Sequence, residues 1–105
     1  MHRRAPETFY VSQGVYNWSA DPQGQYFVNK ASAYGVPILT AFVNSAPAAF
    51  TTFGYSCGGG IDDSQIGNYA QYLADVISHF RSEGVVFTHV SPMNEPDSVR
   101  LYCRP

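Results

Sequence analysis

The chain has 105 residues, 45% of them hydrophobic and 13% charged, with a formal net charge of −2. That length suits one small domain, and the composition excludes a solvated, disordered segment. The only basic cluster, Arg3-Arg4, is too small for a nucleic-acid footprint, and no apolar run reaches the ~20 residues of a membrane span.

The first residues, Met1-His2-Arg3-Arg4-Ala5-Pro6-Glu7, lack the apolar stretch of a signal peptide and by themselves read as cytoplasmic. Asn17-Trp18-Ser19 points the other way, because this glycosylation sequon is used only in a secreted chain. Phe9-Tyr10-Val11 is a short candidate strand. The first clear helix begins at Asp21-Pro22, where Asp caps and the missing N–H of Pro is harmless, and it runs through Tyr26, Phe27, Lys30 and Tyr34 to a stop at Gly35.

Residues 36–43, Val-Pro-Ile-Leu-Thr-Ala-Phe-Val, read as a strand apolar enough to be buried on both faces. A Ser/Ala/Pro/Gly-rich loop covers 44–61. A second helix starts near Asp62-Asp63, carries Ile66, Tyr69, Leu73, Val76, Ile77 and Phe80 in one stripe at steps of three and four, and ends at Gly84. Residues 85–90 form the second strand. Strand, helix, strand is a βαβ unit, so the two strands should be parallel and chemistry should sit in the loops at their carboxyl ends.

Two segments fall there, Asn44-Ser45-Ala46-Pro47 and Ser91-Pro92-Met93-Asn94-Glu95-Pro96-Asp97. Asn-Glu-Pro after a strand has a mechanical meaning. Pro96 ends the strand, Glu95 stands at its tip as a candidate general acid/base, and Asn94 is placed to bond a sugar hydroxyl. The competing reading is a loop carboxylate followed by a strand-breaking proline. Asn44-Ser45 alone reads as an ordinary turn. Trp18 reads as packing or a loop anchor, with a sugar platform as the alternative.

The remaining reactive residue types build no site. Cys57 and Cys103 fit a disulfide, two free thiols or unrelated positions equally well. His2, His79 and His89 are scattered, with no metal spacing. The glycine run after Tyr55-Ser56-Cys57 lacks the Gly-Lys-Ser/Thr ending of a phosphate loop. No cofactor is expected.

Val43-Asn44-Ser45-Ala46-Pro47 followed by Val90-Ser91-Pro92-Met93-Asn94-Glu95-Pro96-Asp97 resembles glycoside hydrolase family 30. Together with Tyr16-Asn17-Trp18-Ser19-Ala20-Asp21, the segments are most similar to fungal endo-β-1,6-galactanases. The resemblance covers residues 14–97, leaving 1–13 and 98–105 as uncertain ends. It implies an α/β fold, a (β/α)8 TIM barrel of which this chain supplies roughly helix 2 to strand 4, with two parallel strands and two helices. It also implies a secreted enzyme that cleaves β-linked polysaccharide with retention. Glu95 matches the acid/base, Asn94 its hydroxyl-binding neighbour and Asn44 a pocket-lining residue, while Trp18 joins them as a candidate substrate contact.

Three departures bear on activity. The loop after Asn44-Ser45-Ala46-Pro47 reads Ala48-Ala49-Phe50 where the family carries bulky aromatics, which weakens sugar stacking there. The tail Ser98-Val99-Arg100-Leu101-Tyr102-Cys103-Arg104-Pro105 leaves the family pattern. The nucleophile, a second Glu on a later strand, is not in these residues. The leading expectation is therefore a glycosidase fragment that carries the acid/base, is inactive alone, and exposes the strands' apolar inner face. A non-catalytic carbohydrate-binding remnant and an unrelated small α/β domain with a chance Asn-Glu-Pro are the alternatives.

Overall fold

The computed structural model describes residues 7–54 and 60–94; Glu95, Cys57 and Cys103 lie outside them. In chain order the elements are β1 (Tyr10–Ser12), β2 (Val15–Tyr16), α1 (Pro22–Ala33), β3 (Thr40–Phe42), α2 (Ile66–Ser82) and β4 (His89–Ser91). Single 3₁₀ turns at Ala48–Phe50 and Asp63–Gln65 punctuate the long connection.

The helices start and stop where the sequence placed them. Asp21 caps α1, its carboxylate accepting from the Gly24 N–H at 3.1 Å. Its own φ of 51° is one that aspartate tolerates better than most residues. Asp62 caps the 3₁₀ turn that leads into α2, accepting from the Ser64 N–H. β3 and β4 pair in parallel with Thr40 opposite His89, Ala41 opposite Val90 and Phe42 opposite Ser91, as the strand–helix–strand order requires.

Two expectations need correction. The strands are three residues each and not six to eight. At the entry to β3 the Leu39 N–H donates to the Thr88 side-chain oxygen instead of a backbone carbonyl, and Pro37 has no N–H to offer. The ladder therefore begins only at Thr40. Nor are the strands buried on both faces. Val36, Ile38 and Phe42 on one face of the sheet and Val86 and Val90 on the other are all exposed, Ile38 to 63%.

The N-terminal segment adds a feature the sequence did not give up. β1 and β2 form an antiparallel hairpin pairing Tyr10 with Tyr16 with an irregular register, turned at Gln13-Gly14 with Gly14 at φ +75°, a conformation glycine adopts without strain. It is not a further strand of the parallel sheet; it packs on α2.

The core follows from that packing. Ala46, Phe50, Tyr69 and Tyr72 form a buried cluster, with Phe9, Tyr10, Tyr16, Val43, Leu73 and Val76 around it. Phe50 is 2% exposed, and its ring lies 4.6 Å from Tyr10, 5.5 Å from Tyr69 and 5.8 Å from Tyr72. Tyr72 lies outside the stripe read from the sequence, because α2 is covered on two faces, by the sheet side and by the hairpin. By contrast α1 buries none of its residues, and Tyr26 and Phe27 stand 58% and 71% exposed.

Candidate functional site

The carboxyl ends of β3 and β4 carry the two polar segments the sequence singled out. The Val43 N–H donates to the Ser91 carbonyl at 2.9 Å, extending the ladder by one bond beyond the strands. Carried onward, the register sets Asn44 opposite Met93 and beside Asn94. The two side chains meet there, Asn94 Nδ2 donating to Asn44 Oδ1 at 3.4 Å. Asn44 is exposed and Asn94 half-buried, so the amide pair borders solvent. Such a pair offers both donors and acceptors to a hydroxyl-bearing ligand. Glu95, the next residue in the chain, is outside the described residues, as is Pro96.

Behind the pair stands Tyr69, in the first turns of α2. Its hydroxyl donates to the Pro92 carbonyl at 2.5 Å. Its ring packs on Phe50, which belongs to the loop that follows Asn44. Sequence reading placed Tyr69 in the apolar stripe and missed the hydroxyl. The available signal was a tyrosine, not a leucine, at the end of the stripe nearest the strand tips, since a buried phenol seeks a partner.

Trp18 is not part of this grouping. Its ring stacks flat on His79, with centroids 3.8 Å apart and planes 1° from parallel, and it also touches Phe9 and Tyr16. His79 lies ten residues beyond Tyr69 on α2, about 15 Å along the helix axis. Phe50 is turned into the core and offers no face to a sugar, in keeping with the departure noted for its loop.

A cavity of about 590 Å³ opens between α1, α2 and the sheet. Asn44 reaches its edge, but Val28, Val43, Leu73, Ile77 and Phe80 make up much of its lining. Glu7, Asp21 and Gln25 also line it, though most of its surface is apolar.

The tyrosines set the electrostatics. Burial, reinforced by Tyr72, pushes the Tyr69 phenol up to about 12; burial also raises Tyr72. Burial and then the hydrogen bond to Asp75 push Tyr16 up to about 12, and that bond holds the Asp75 carboxyl below its ordinary range, with Gln71 helping. A phenol whose pKa is higher folded than unfolded favours the fold below pH 10 and withdraws that support as pH climbs toward 12. We expect far-UV circular dichroism to hold to about pH 10 and then fall, in step with tyrosinate absorbance near 295 nm. Full tyrosinate absorbance at pH 10 with the helix intact would contradict the packing of Tyr16, Tyr69 and Tyr72.

Residues 1–100 match the family model described as O-Glycosyl hydrolase family 30. The chain belongs to that family. A similar protein is the exo-beta-1,6-galactobiohydrolase of Bifidobacterium longum subsp. longum, 31% identical over 90 residues, which are 79% of this chain and 6% of the relative. The family 30 chain therefore spans a small part of that relative's length. Membership removes the reading of an unrelated α/β domain with a chance Asn-Glu-Pro.

Proposed function

We propose that this family 30 segment carries the acid/base half of a retaining glycosidase site, with Glu95 as proton donor and Asn94 and Asn44 as the amides that hold a sugar hydroxyl. The observation that carries the proposal is the Asn94–Asn44 hydrogen bond at the tips of adjacent parallel strands, one residue ahead of Glu95 in the chain. A general acid must stand beside groups that fix the sugar, because bonds to the 2-hydroxyl strengthen as the oxocarbenium-like transition state forms. Glu95 would protonate the departing glycosidic oxygen, then take a proton from water in the second step. The partner carboxylate would come from another part of a (β/α)8 barrel, which the exposed apolar face of β3 and β4 is suited to join.

For the substrate class we carry over the β-1,6-galactosidic bond, as found in arabinogalactan, and secretion to where such polymers occur. The resemblance points to endo-acting enzymes and the matched relative is named as an exo-acting one; the bond is common to both. In this reading Trp18 packs the N-terminal segment on α2, and a sugar platform at Trp18 would belong to a separate subsite.

The test is a titration with β-1,6-galactobiose followed by two-dimensional NMR. Binding should perturb the Asn44 and Asn94 side-chain amides. Changing either residue to Ala should weaken affinity by about fivefold, the worth of roughly 1 kcal/mol per hydrogen bond. Equal perturbation by xylobiose would remove the galactan assignment, and silence of both amides would remove the site.

A further inference from the structure

We infer that Tyr69 is a positioning residue that sets the spacing of the two strand-end loops, and through it the Asn44–Asn94 pair. The inference deepens the site proposed above and rests on that reading. Tyr69 is 7% exposed and has two attachments, one to each loop. Its ring packs on Phe50, six residues past Asn44 on the β3 loop, at 5.5 Å. Its hydroxyl donates to the Pro92 carbonyl, two residues before Asn94 on the β4 loop, at 2.5 Å. The Thr40–His89 to Phe42–Ser91 ladder and the Val43–Ser91 bond align the strands, but the backbone pairing recorded between them ends there. Beyond Val43, Tyr69 contacts both loops from the helix side, next to the direct Asn94–Asn44 bond.

A helix makes a better anchor than a loop, because its backbone is already fixed by its own hydrogen bonds. The bond ties an otherwise exposed loop residue, Pro92, to the helix. Because burial pushes the phenol up to about 12, Tyr69 remains a donor at any pH at which glycosidases are assayed. Tyr72 supplies the control. It is as buried as Tyr69 and lies on the same helix, but its hydroxyl pairs with Thr8 at 3.3 Å and holds the N-terminal segment instead.

The experiment compares Tyr69→Phe with Tyr72→Phe in the labelled chain. Each change deletes one hydroxyl and keeps the ring, so both variants should fold and lose similar stability. Tyr69→Phe should shift the Pro92 carbonyl ¹³C and Met93 amide ¹⁵N signals and the Asn44 and Asn94 side-chain amides. It should also weaken β-1,6-galactobiose about fivefold. Tyr72→Phe should leave all of these in place while moving signals of Thr8. If the two variants are indistinguishable at Asn44 and Asn94, Tyr69 does not position the pair. If the shifts appear but galactobiose affinity is unchanged, the positioning role at the site is overturned. The NMR comparison needs no sugar, so failure of the unsubstituted chain to bind galactobiose overturns the functional reading alone, and Tyr69 is judged on the shifts.

Discussion

Changing Phe50 to alanine is expected to remove about 3–5 kcal/mol, most of the stability the chain has at 25 °C. Phe50 is the largest side chain wholly removed from solvent, and it is the point where β1, α2 and the loop after β3 meet, through Tyr10, Tyr69 and Tyr72. Truncating a buried phenylalanine costs about 3–5 kcal/mol, part of it transfer free energy and part the cavity left behind. Domains of this size have roughly 5–15 kcal/mol in total. This one sits toward the low end, since the buried apolar set among the described residues is seven side chains, two of them alanines. Urea melts followed at 222 nm measure the loss. Phe53, three residues on and 77% exposed, is the internal comparison, and its alanine variant should stay within about 0.5 kcal/mol of the parent. Equal midpoints for the two variants would mean that the aromatic cluster is not the centre of the fold.

The second large effect concerns turnover. The purified chain should release no reducing sugar from de-arabinosylated arabinogalactan. Retaining cleavage requires two carboxyl groups about 5–5.5 Å apart across the scissile bond. Among the described residues none stands at the end of β3 or β4. Asp21 and Asp62 cap helical turns, Asp63 opens the 3₁₀ turn before α2, Asp75 bonds Tyr16, Glu83 follows the far end of α2, and Glu7 precedes β1 and lines the cavity that Asn44 edges. In a family 30 barrel carrying this segment in place of its own, activity should return and depend on Glu95. Glu95→Gln should then slow cleavage of galactan by about 10²–10⁴-fold. An aryl galactoside whose leaving group needs no proton should lose far less in its first step. Equal losses on both substrates would exclude Glu95 as the acid, and turnover by the purified chain alone would refute the division of the site.

Much of this was legible in the residues because the signals were local. Asp21-Pro22 and Gly35 bound α1, a stripe at steps of three and four marked α2, and the strand–helix–strand order fixed the parallel pairing. What the sequence hid was set by neighbours. The length of β3 depends on how far β4 pairs with it, and Thr88 intercepts the Leu39 N–H from across the sheet. The burial of Val36, Ile38 and Phe42 depends on a covering layer, about which an apolar run is silent. The hairpin did carry a signal, Gln13-Gly14 between Val11 and Val15, but its strands are only three and two residues long. For the site, residue type and position named Asn44 and Asn94, while their hydrogen bond followed only from the register. Phe50 was read as part of a loop because a single 3₁₀ turn has no period to betray which way its aromatic points.

The stacking of Trp18 on His79 has a practical consequence. Trp18 is the chain's single tryptophan, so its emission is the natural optical probe of the molecule. That probe sits against the last turn of α2 and responds to whether the N-terminal segment is seated there. It lies about 15 Å along the helix from the level of Tyr69 and the amide pair. Intrinsic fluorescence will therefore follow unfolding closely, and a flat fluorescence trace on adding sugar carries no information about whether the strand tips are occupied.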